Sequence, residues 1–581
     1  MAKCIFVCSR EPLPDSAKST LEKVCSKISP DNIILPEPRI RIGEKSAFGI
    51  MNPSPLISTD QNSILMGQIY GESCNWHKPG NTAPDGSYAI FRDDENACEL
   101  VTDAVATRTI WYYKDDSKFI ASTSQRAIII YLGTFEFNRD VIPWMLSTGS
   151  LGPGLSWDKT IKQVPPDSTV TLDKNRWAIE TKTKSIEFKH SKKSDKEHER
   201  KLKEAIEKTF RSLNLNLSEW AIPLSGGYDS RAIISLLSKA GADIEKTKTV
   251  TWGLKDSIND KKNDAYIAKK IAQKYSVAHQ YYHTDDTPDE PVEKVVTRIL
   301  LQGEGRIDQI SGYMDGFTLW KKLYEDGIQG TIRGDEGFGI SRGIEGLTLQ
   351  IFNRIATTAT IRLHVGCCLC ADYLNTKNYL EHGFPLQEMP PYLMKKPDES
   401  LHEYRDRLHH CYRFPTILSA LSDLKLSYTE QITPFLSKNI LDYARQLPDQ
   451  LRTEKVLFKK IVKSISPKVP FATKNAIAQA GDILKRKDVV ELITAELRSE
   501  RAERLFPKAF TQHILEKIKV QGQLKSSFTL KSFLKKYLPK IVKKILRDKC
   551  LYLSLDYNIL AFRVFMISRM NAIFTEDCND D

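Results

Sequence analysis

The chain has 581 residues, of which 41% are hydrophobic and 27% are charged, with a formal net charge of +12. This length and composition predict two or more ordinary globular domains with buried cores. No run approaches the roughly 20 uncharged apolar residues that a membrane-spanning helix requires. The apolar run before Arg10 is also too short for a signal peptide, which excludes both membrane-directed classes.

The eleven cysteines are scattered along the chain without a framework. The densest group is Cys367, Cys368 and Cys370, and no second ligand pair with the spacing of a zinc site accompanies it. This group is interpreted as buried reduced thiols, with a metal site as the alternative. A reducing, cytoplasmic setting is therefore predicted.

The first 190 residues contain short apolar or alternating segments that are separated by turn signals such as Pro84-Asp85-Gly86. The pattern predicts a β-rich, layered domain. Its predicted strands are Lys3–Cys8, Ser63–Ile69, Ser87–Phe91, Glu99–Asp103, Ile110–Lys114, Phe119–Ser122 and Ser168–Leu172.

The charged segment His190–Lys203 is predicted to be a linker that runs into a helix. Beyond it, helical and apolar strand patterns alternate, which predicts parallel strands with right-handed crossovers. The predicted elements are helix Glu199–Leu213, strand Glu219–Pro223, helix Ser230–Ala240, strand Lys248–Trp252 and helix Asn263–Lys274. From about Lys455 onward the chain is predicted to be mostly helical.

The segment between Lys517 and Lys549 is strongly basic, with eleven Lys or Arg residues against the single acid Asp548. Its apolar residues recur at helical intervals, which favours a solvated amphipathic helix. The alternative is a face that docks an anionic partner.

The loop Ser225–Ser230, with the sequence SGGYDS, connects an apolar strand directly to a helix. Its glycines allow close backbone approach and positive φ. Backbone N–H groups, two hydroxyls and the helix N-terminus would converge there on one anion, for which a pyrophosphate is suited. Asp229 suits the Mg²⁺ that accompanies phosphates. The loop has neither the spacing of a Walker loop nor that of a dinucleotide site.

The loop resembles the pyrophosphate-binding loop of the ATP-pyrophosphatase superfamily, whose members adenylate a carbonyl or carboxylate oxygen. Gly330–Gly339, Glu430–Leu436 and the surroundings of Lys455 resemble segments of the asparagine synthetase and β-lactam synthetase family. Pro84–Phe91 and Phe119–Ala127 resemble that family's N-terminal domain.

This resemblance implies a mixed α/β and α+β fold in two parts. Residues 1–190 would form a glutaminase-like, Ntn-type β-rich sandwich. Residues 191–581 would form a doubly wound parallel-sheet ATP-pyrophosphatase domain, with a basic helical extension from about residue 480.

The resemblance also implies an AMP-forming carbon–nitrogen ligase that uses ATP and Mg²⁺. The enzyme would adenylate a carboxylate and transfer an amine or ammonia to it. Aspartate, a sugar uronic acid and a peptide or other small-molecule acid all stay open as substrates, and so does a homodimer. No nucleic-acid partner is expected. An RNA-modifying enzyme with the same loop and a non-catalytic scaffold are the alternatives.

Site residues follow from the same resemblance, position by position. The phosphates would be held by Ser225, Gly226, Gly227, Asp229 and Ser230. Adenosine would contact Leu224, Trp252 and the backbone of Gly330. Asp229 and Asp335 would share the magnesium ion, and Lys455 would stabilise charge in the transition state.

Two departures from the family pattern change the expected chemistry. Residue 2 is Ala where glutamine-using members carry the catalytic cysteine, and the first cysteine is Cys4. Ile332 stands where asparagine synthetases carry Glu, and it cannot act as a base. An inactive glutaminase part is therefore predicted, and the base is unassigned. The ionisable candidates for that role are Glu304, Arg306, Asp308 and Glu430.

Overall fold

A computed structural model describes residues 2–72, 75–285, 289–339, 390–521 and 556–579. The Cys367, Cys368 and Cys370 group and residues 522–549 of the basic segment lie outside these ranges, so both interpretations stay predictions. The described strands are β1 Lys3–Ser9, β2 Arg39–Ile42, β3 Ser46–Met51, β4 Ser58–Asp60, β5 Ser63–Ile69, β6 Gly86–Asp93, β7 Ala97–Thr102, β8 Trp111–Lys114, β9 Lys118–Ser122, β10 Lys162–Gln163, β11 Ser168–Asp173, β12 Ala178–Thr183, β13 Trp220–Pro223, β14 Lys248–Gly253, β15 Ala278–His283, β16 Gly330–Ile332 and β17 Glu430–Ile432.

Helices surround these strands and dominate the described residues from about Lys455 onward, as predicted. The described α-helices are α1 Ala17–Lys27, α2 Gln125–Leu132, α3 Val141–Thr148, α4 Asp195–Arg211, α5 Tyr228–Lys239, α6 Asp264–Lys274, α7 Val292–Gly303, α8 Thr318–Glu325, α9 Leu401–Leu408, α10 Ser419–Leu426, α11 Lys438–Ala444, α12 Asp449–Arg452, α13 Val456–Ile465, α14 Ala480–Ile483, α15 Lys487–Leu497, α16 Glu500–Leu505, α17 Lys508–Leu515 and α18 Tyr557–Asn579. Among the described residues, no helix is both long enough and apolar enough to cross a bilayer.

The N-terminal part is a sandwich of two six-stranded antiparallel sheets. The strand orders are β10-β8-β9-β1-β3-β2 and β12-β11-β7-β6-β5-β4. Strand β1 shows why the first sheet is buried on both faces. Phe6 and Cys8 point into the sandwich, whereas Ile5 and Val7 pack against helices on the other side. All seven strands predicted for this part are present.

The helices on the outer face of the first sheet come from both ends of the chain. Helices α1, α2 and α3 share one apolar core with α7, α15 and α18. The Arg126 guanidinium binds the Asp577 carboxylate of α18 at 2.5 Å, and Arg563 of α18 binds Asp308 at 2.6 Å. The two halves of the sequence are therefore joined by a common core.

The second half contains the predicted parallel sheet, with five strands in the order β15-β14-β13-β16-β17. All five elements predicted between residues 199 and 274 are present. The segment His190–Lys203, predicted to be a linker that runs into a helix, enters the helix earlier than expected, because α4 begins at Asp195. The Ser194 hydroxyl caps this helix by accepting the Glu197 N–H at 3.3 Å.

Candidate active site

The Ser225–Ser230 loop lies at the carboxyl end of β13, the central strand of the parallel sheet, and leads directly into α5. The loop is closed by its own hydrogen bonds. The Ser225 N–H donates to Ser230 Oγ at 2.9 Å, and the Gly227 N–H donates to Ser225 Oγ at 3.2 Å. The loop is thus held in shape next to the positive end of a helix, which is the geometry that binds phosphate.

The glycines of this loop serve close packing, and the expected positive φ is wrong. Gly226 is outside the left-handed region, and Gly227 has φ −81° at the start of α5. A Cβ on Gly226 would lie 2.4 Å from the Ala472 Cβ, whereas one on Gly227 would meet only Ser225 Oγ, at 3.3 Å. Gly226 therefore admits a neighbouring segment, and Gly227 leaves space open in front of the loop.

That neighbouring segment is Val469–Ala476, called here the strap. The Ala472 N–H donates to the Gly226 carbonyl at 3.1 Å. The Arg231 guanidinium, on α5, donates to the carbonyls of Val469 and Pro470 at 2.7 Å each. The strap has no sequence motif, so it was missing from the sequence-based predictions.

Lys455 connects two carboxylates beside the loop. Its Nζ lies 3.0 Å from Asp229 Oδ2 and 2.5 Å from Glu336 Oε1. Glu454 and Lys455 have φ of 57° and 58°, a left-handed conformation that costs a non-glycine residue about 1–3 kcal/mol. The surrounding structure imposes this strain and so fixes the ammonium between the carboxylates.

The pKa values of Lys455, Asp229 and Glu336 all differ from their ordinary values. Burial raises the pKa of Glu336 to about 7, although the Lys455 ammonium acts in the opposite direction. It likewise raises the pKa of Asp229, again against the effect of Lys455. Burial disfavours the charge on Lys455, but Glu336 and Asp229 together raise its pKa above the ordinary range. Such perturbed groups in a cleft are typical of functional sites.

Asp335 lies on the loop next to Asp229. A Cβ on Gly334 would be 2.9 Å from the Asp229 Cβ, so the two loops are in direct contact. Asp335 pairs with Arg333 at 3.0 Å, yet its buried Oδ2 accepts no well-aligned hydrogen bond from the described residues. Mg²⁺ prefers hard oxygen ligands, so the neighbouring carboxylates of Asp229 and Asp335 are the candidates to hold it.

The carboxylates of Asp229, Asp335 and Glu336 form one side of a cleft of about 210 Å³. The other side is formed mainly by a π-helical segment, His409–Leu418, which contains Pro415. Such widened turns occur frequently at functional sites. The residues of this side are His409, Arg413, Phe414, Ile417, Leu418 and Leu421.

His409 and Glu336 are site residues that the sequence reasoning missed. Burial, with nearby Arg413 and Lys455, keeps the pKa of His409 well below its usual range, so its imidazole is neutral. Its Nδ1 is buried and makes no hydrogen bond to a described residue. Glu336 had a signal in the sequence, since it follows Asp335 directly, whereas no motif marks His409.

The structure does not bring the other proposed acid–base candidates to Lys455. Glu430 is 1% exposed and forms an ion pair with Arg108 of the N-terminal sandwich. The Glu304 carboxylate accepts the hydroxyl of Ser124 and the N–H of Gln125. In the same region, Arg306 binds Asp423 and Asp308 binds Arg563.

The three proposed adenosine contacts lie at different places on the sheet. Leu224 directly precedes the loop and is 2% exposed, and Trp252 is near the carboxyl end of the adjacent strand β14. Gly330 pairs with Trp220 at the amino end of β13, about 16 Å below Ser225 at the usual rise per residue. The structure therefore does not bring Gly330 to the loop.

A parallel sheet whose central strand ends in a Ser-Gly-Gly loop, with a lysine and three carboxylates beside it, places this part of the chain in the α/β class. Residues 199–309 match the family described as Asparagine synthase. The matched segment contains the Ser225–Ser230 loop and ends before Asp335. It confirms the family resemblance there and supports an ATP-using enzyme of the ligase or amidotransferase type.

No curated protein matches the chain. Among solved structures, an allosteric regulatory enzyme of purine biosynthesis is 10% identical, with a TM-score of 0.21, over 50% of this chain and 81% of its own. Glutamine phosphoribosylpyrophosphate amidotransferase from B. subtilis, in complex with ADP and GMP, is 8% identical (TM-score 0.20; 50% and 83%). The U34-tRNA thiolase NcsA from Methanococcus maripaludis is 12% identical (0.20; 58% and 92%). These likenesses carry no argument about function.

Proposed function

We propose that this protein is an ATP-dependent ligase that adenylates a substrate carboxylate, releases pyrophosphate, and then transfers an amine or ammonia to the acyl group with release of AMP. The observation that carries this proposal is the contact of Lys455 with Asp229 and Glu336. These residues lie beside the Ser225–Ser230 loop, and this loop belongs to the segment that matches the asparagine synthase family.

The nucleotide would bind at the loop. The hydroxyls of Ser225 and Ser230, the open space at Gly227 and the N-terminus of α5 offer a site for its phosphates. Asp229 and Asp335 would hold Mg²⁺, which neutralises phosphate charge when it is bound. The Lys455 ammonium is placed to stabilise negative charge that develops during the transfer.

The carboxylate substrate would lie in the cleft opposite these groups. The Arg413 guanidinium suits a carboxylate, because its planar donors bind both oxygens. The adjacent wall of Phe414, Ile417, Leu418 and Leu421 is apolar. This lining favours an acid that carries an apolar group over aspartate or a uronic acid.

Two groups in the cleft are suited to accept the proton of the amine. Neutral His409 has an unengaged Nδ1, and Glu336 has a pKa of about 7. A base is most effective when its pKa lies near the working pH, which favours Glu336 for proton transfer. His409 would then orient the amine. Both lie in the same cleft as Asp229, whereas Ile332 is fully buried in the core.

The amine would come from solution. Ala2 and Cys4 are both fully buried, and burial raises the pKa of the Cys4 thiol to about 12. A buried neutral thiol is a poor nucleophile, which supports the prediction that the N-terminal part is inactive as a glutaminase.

The proposal is tested with purified protein, ATP, Mg²⁺, ammonia and a panel of carboxylic acids that differ in their apolar part. We expect AMP and pyrophosphate to form in equal amounts only with an accepted acid, and hydroxylamine to trap the adenylate as a hydroxamate. Formation of ADP and phosphate would refute adenylation. Lys455→Met should slow the reaction by about 100- to 1000-fold, and Lys460→Met, a change to a surface residue of the helix α13 that follows Lys455, should not.

A further inference from the structure

Cys8, Asp93 and Cys98 form a buried polar cluster inside the N-terminal sandwich. Cys8 belongs to β1 of one sheet, whereas Asp93 and Cys98 are register partners on β6 and β7 of the other. Their ligand atoms all lie within 4.8 Å of one another. The three residues are 1%, 5% and 1% exposed.

The charge of Asp93 is balanced at this site. The Lys174 ammonium lies 2.8 Å from Asp93 Oδ1, and the same oxygen accepts the Cys98 thiol at 2.6 Å. Asn62 Nδ2 donates to the other oxygen at 3.1 Å. An ion pair beside two thiols is energetically unfavourable in an otherwise apolar core. The fold nevertheless keeps these potential metal ligands together there.

We propose that Cys8, Asp93 and Cys98 bind a divalent metal ion of the zinc class. Thiolate and carboxylate ligands from two sheets suit zinc, which accepts sulfur and oxygen donors. The ion would join the sheets and stabilise the sandwich, a role independent of the proposed ligase activity.

The binding step balances in protons and in charge. Two S–H bonds break, two S–Zn bonds and one O–Zn bond form, and two protons leave to solvent. Before binding, Asp93 and Lys174 sum to zero. After binding, the +2 ion, two thiolates and one carboxylate sum to −1, which Lys174 neutralises. The core therefore gains no net charge.

The geometry requires only small movements. With Zn–S bonds of about 2.3 Å, the ligand atoms of a tetrahedral site lie roughly 3.5–3.8 Å apart. The most widely separated atoms would approach by about 1 Å or less, and Cys98 Sγ and Asp93 Oδ1, which are 2.6 Å apart, would separate by about 1 Å as the thiol proton is lost. The Lys174 side chain is 17% exposed and borders the cluster, which gives the ion a route from solvent.

The test uses the full-length reduced protein after removal of metals with a chelator. Zn²⁺ is titrated against a chromophoric chelator, and Co²⁺ reports thiolate ligands by charge-transfer absorption. We expect one equivalent to bind at this site. Its affinity should fall at least tenfold in Cys98→Ser and in Asp93→Asn, but not in Cys25→Ser, a buried cysteine on α1 outside the cluster.

Binding of wild-type strength in a Cys8→Ser/Cys98→Ser double variant would place the ion elsewhere and overturn the proposal. If the variants do not fold, wild-type protein in partly denaturing urea gives a second readout. There, bound zinc should slow alkylation of Cys8 and Cys98 but not of Cys25, and equal slowing at all three would overturn the proposal. A Cys8–Cys98 disulfide formed by a thiol oxidant, with no zinc uptake, would also overturn it.

Discussion

Two groups of ion pairs in this molecule use the same residue types in different surroundings. In the cleft, Lys455 and Asp229 keep 26% and 34% of their side-chain surface exposed. In what we call the interdomain network, Arg108 and Glu430 keep 4% and 1%. The other pair of this network joins Lys3 to Glu304.

The two groups of ion pairs have different roles: the pairs in the cleft are placed for chemistry, and the interdomain network attaches the N-terminal part to the rest of the chain. In the interdomain network the Arg108 guanidinium binds both the Glu430 carboxylate and the carbonyl of Ala2, so it holds the first strand against the parallel sheet. In the cleft, Lys455 is held in a strained backbone conformation and faces open space. Ionisable residues near a motif, such as Glu430, can therefore be structural, and the partner distinguishes the two cases. Glu430 pairs with Arg108 of the N-terminal part, whereas Lys455 pairs with carboxylates that line the cleft.

Breaking the interdomain network should have the largest effect on stability. Arg108→Leu leaves the buried Glu430 carboxylate without its partner, so the free energy of unfolding should fall by about 3–5 kcal/mol. Urea unfolding followed by circular dichroism measures this change. The Arg108→Leu/Glu430→Leu double variant should recover part of the loss. If Arg108→Leu instead kept full stability and lost turnover, the network would belong to the active site.

Substitution of Lys455 should lower the rate of the proposed reaction. Lys455→Met removes a charge that stabilises the transition state, so kcat should fall by about 100- to 1000-fold, equivalent to about 2.7–4 kcal/mol. The urea midpoint should change less than in Arg108→Leu, because Asp229 is partly exposed and Glu336, with a pKa of about 7, can take up a proton when its partner is lost. Pyrophosphate release measures the rate. Lys460→Met is the matched control. Lys460 lies on α13, the helix that follows Lys455, and forms a surface ion pair with Glu199 of α4.

The fold could be predicted from periodicity wherever one pattern dominates. The seven N-terminal strands and the elements from Glu199 to Lys274 show clear alternation or helical spacing, and they are present. Strand Ser46–Met51 was missed because its sequence, SAFGIM, contains small residues and a glycine, which are weak strand formers. Helix Ala17–Lys27 was missed because short polar residues interrupt its apolar stripe.

The site could be predicted only where a motif carried it. The Ser225–Ser230 loop, Asp335 and Lys455 were found in this way, and the structure brings them together around one cleft. His409 reaches the cleft, and the strap Val469–Ala476 reaches Gly226 of the loop, through tertiary packing, which leaves no local signal. Glu304 and Glu430 were selected for their charge, but sequence does not show that their partners lie in the N-terminal sandwich.

Adding a side chain at Gly226 of the loop should have an intermediate effect on the free energy of unfolding. Gly226→Ala places a Cβ 2.4 Å from the Ala472 Cβ of the strap, and overpacking of this kind costs about 1–3 kcal/mol. Urea unfolding should show this loss, together with weaker ATP binding. Gly227→Ala meets only the Ser225 hydroxyl, at 3.3 Å, and should destabilise less. Equal losses in the two variants would contradict a packing role for Gly226.

The most gradual expected effect is a pH dependence at Glu336, a residue of the cleft. Its pKa is about 7 in the folded protein, against an ordinary value of 4.5, so the native state holds this proton more tightly than the unfolded chain. The associated stability is fully present below about pH 4.5 and is lost as the pH rises through about 7. One proton changes stability by at most about 1.4 kcal/mol per pH unit.

Urea midpoints measured between about pH 5 and about pH 7 test this difference. Glu336→Gln cannot titrate, so its stability should fall less steeply with pH than that of the wild type. Asp229, whose pKa is also raised by burial, should leave a residual slope of the same sign in the variant. Glu199→Gln, at the surface pair with Lys460, should keep the wild-type slope. Parallel curves for wild type and Glu336→Gln would mean that the Lys455 ammonium outweighs burial, and Glu336 would then be a permanent counterion rather than a base.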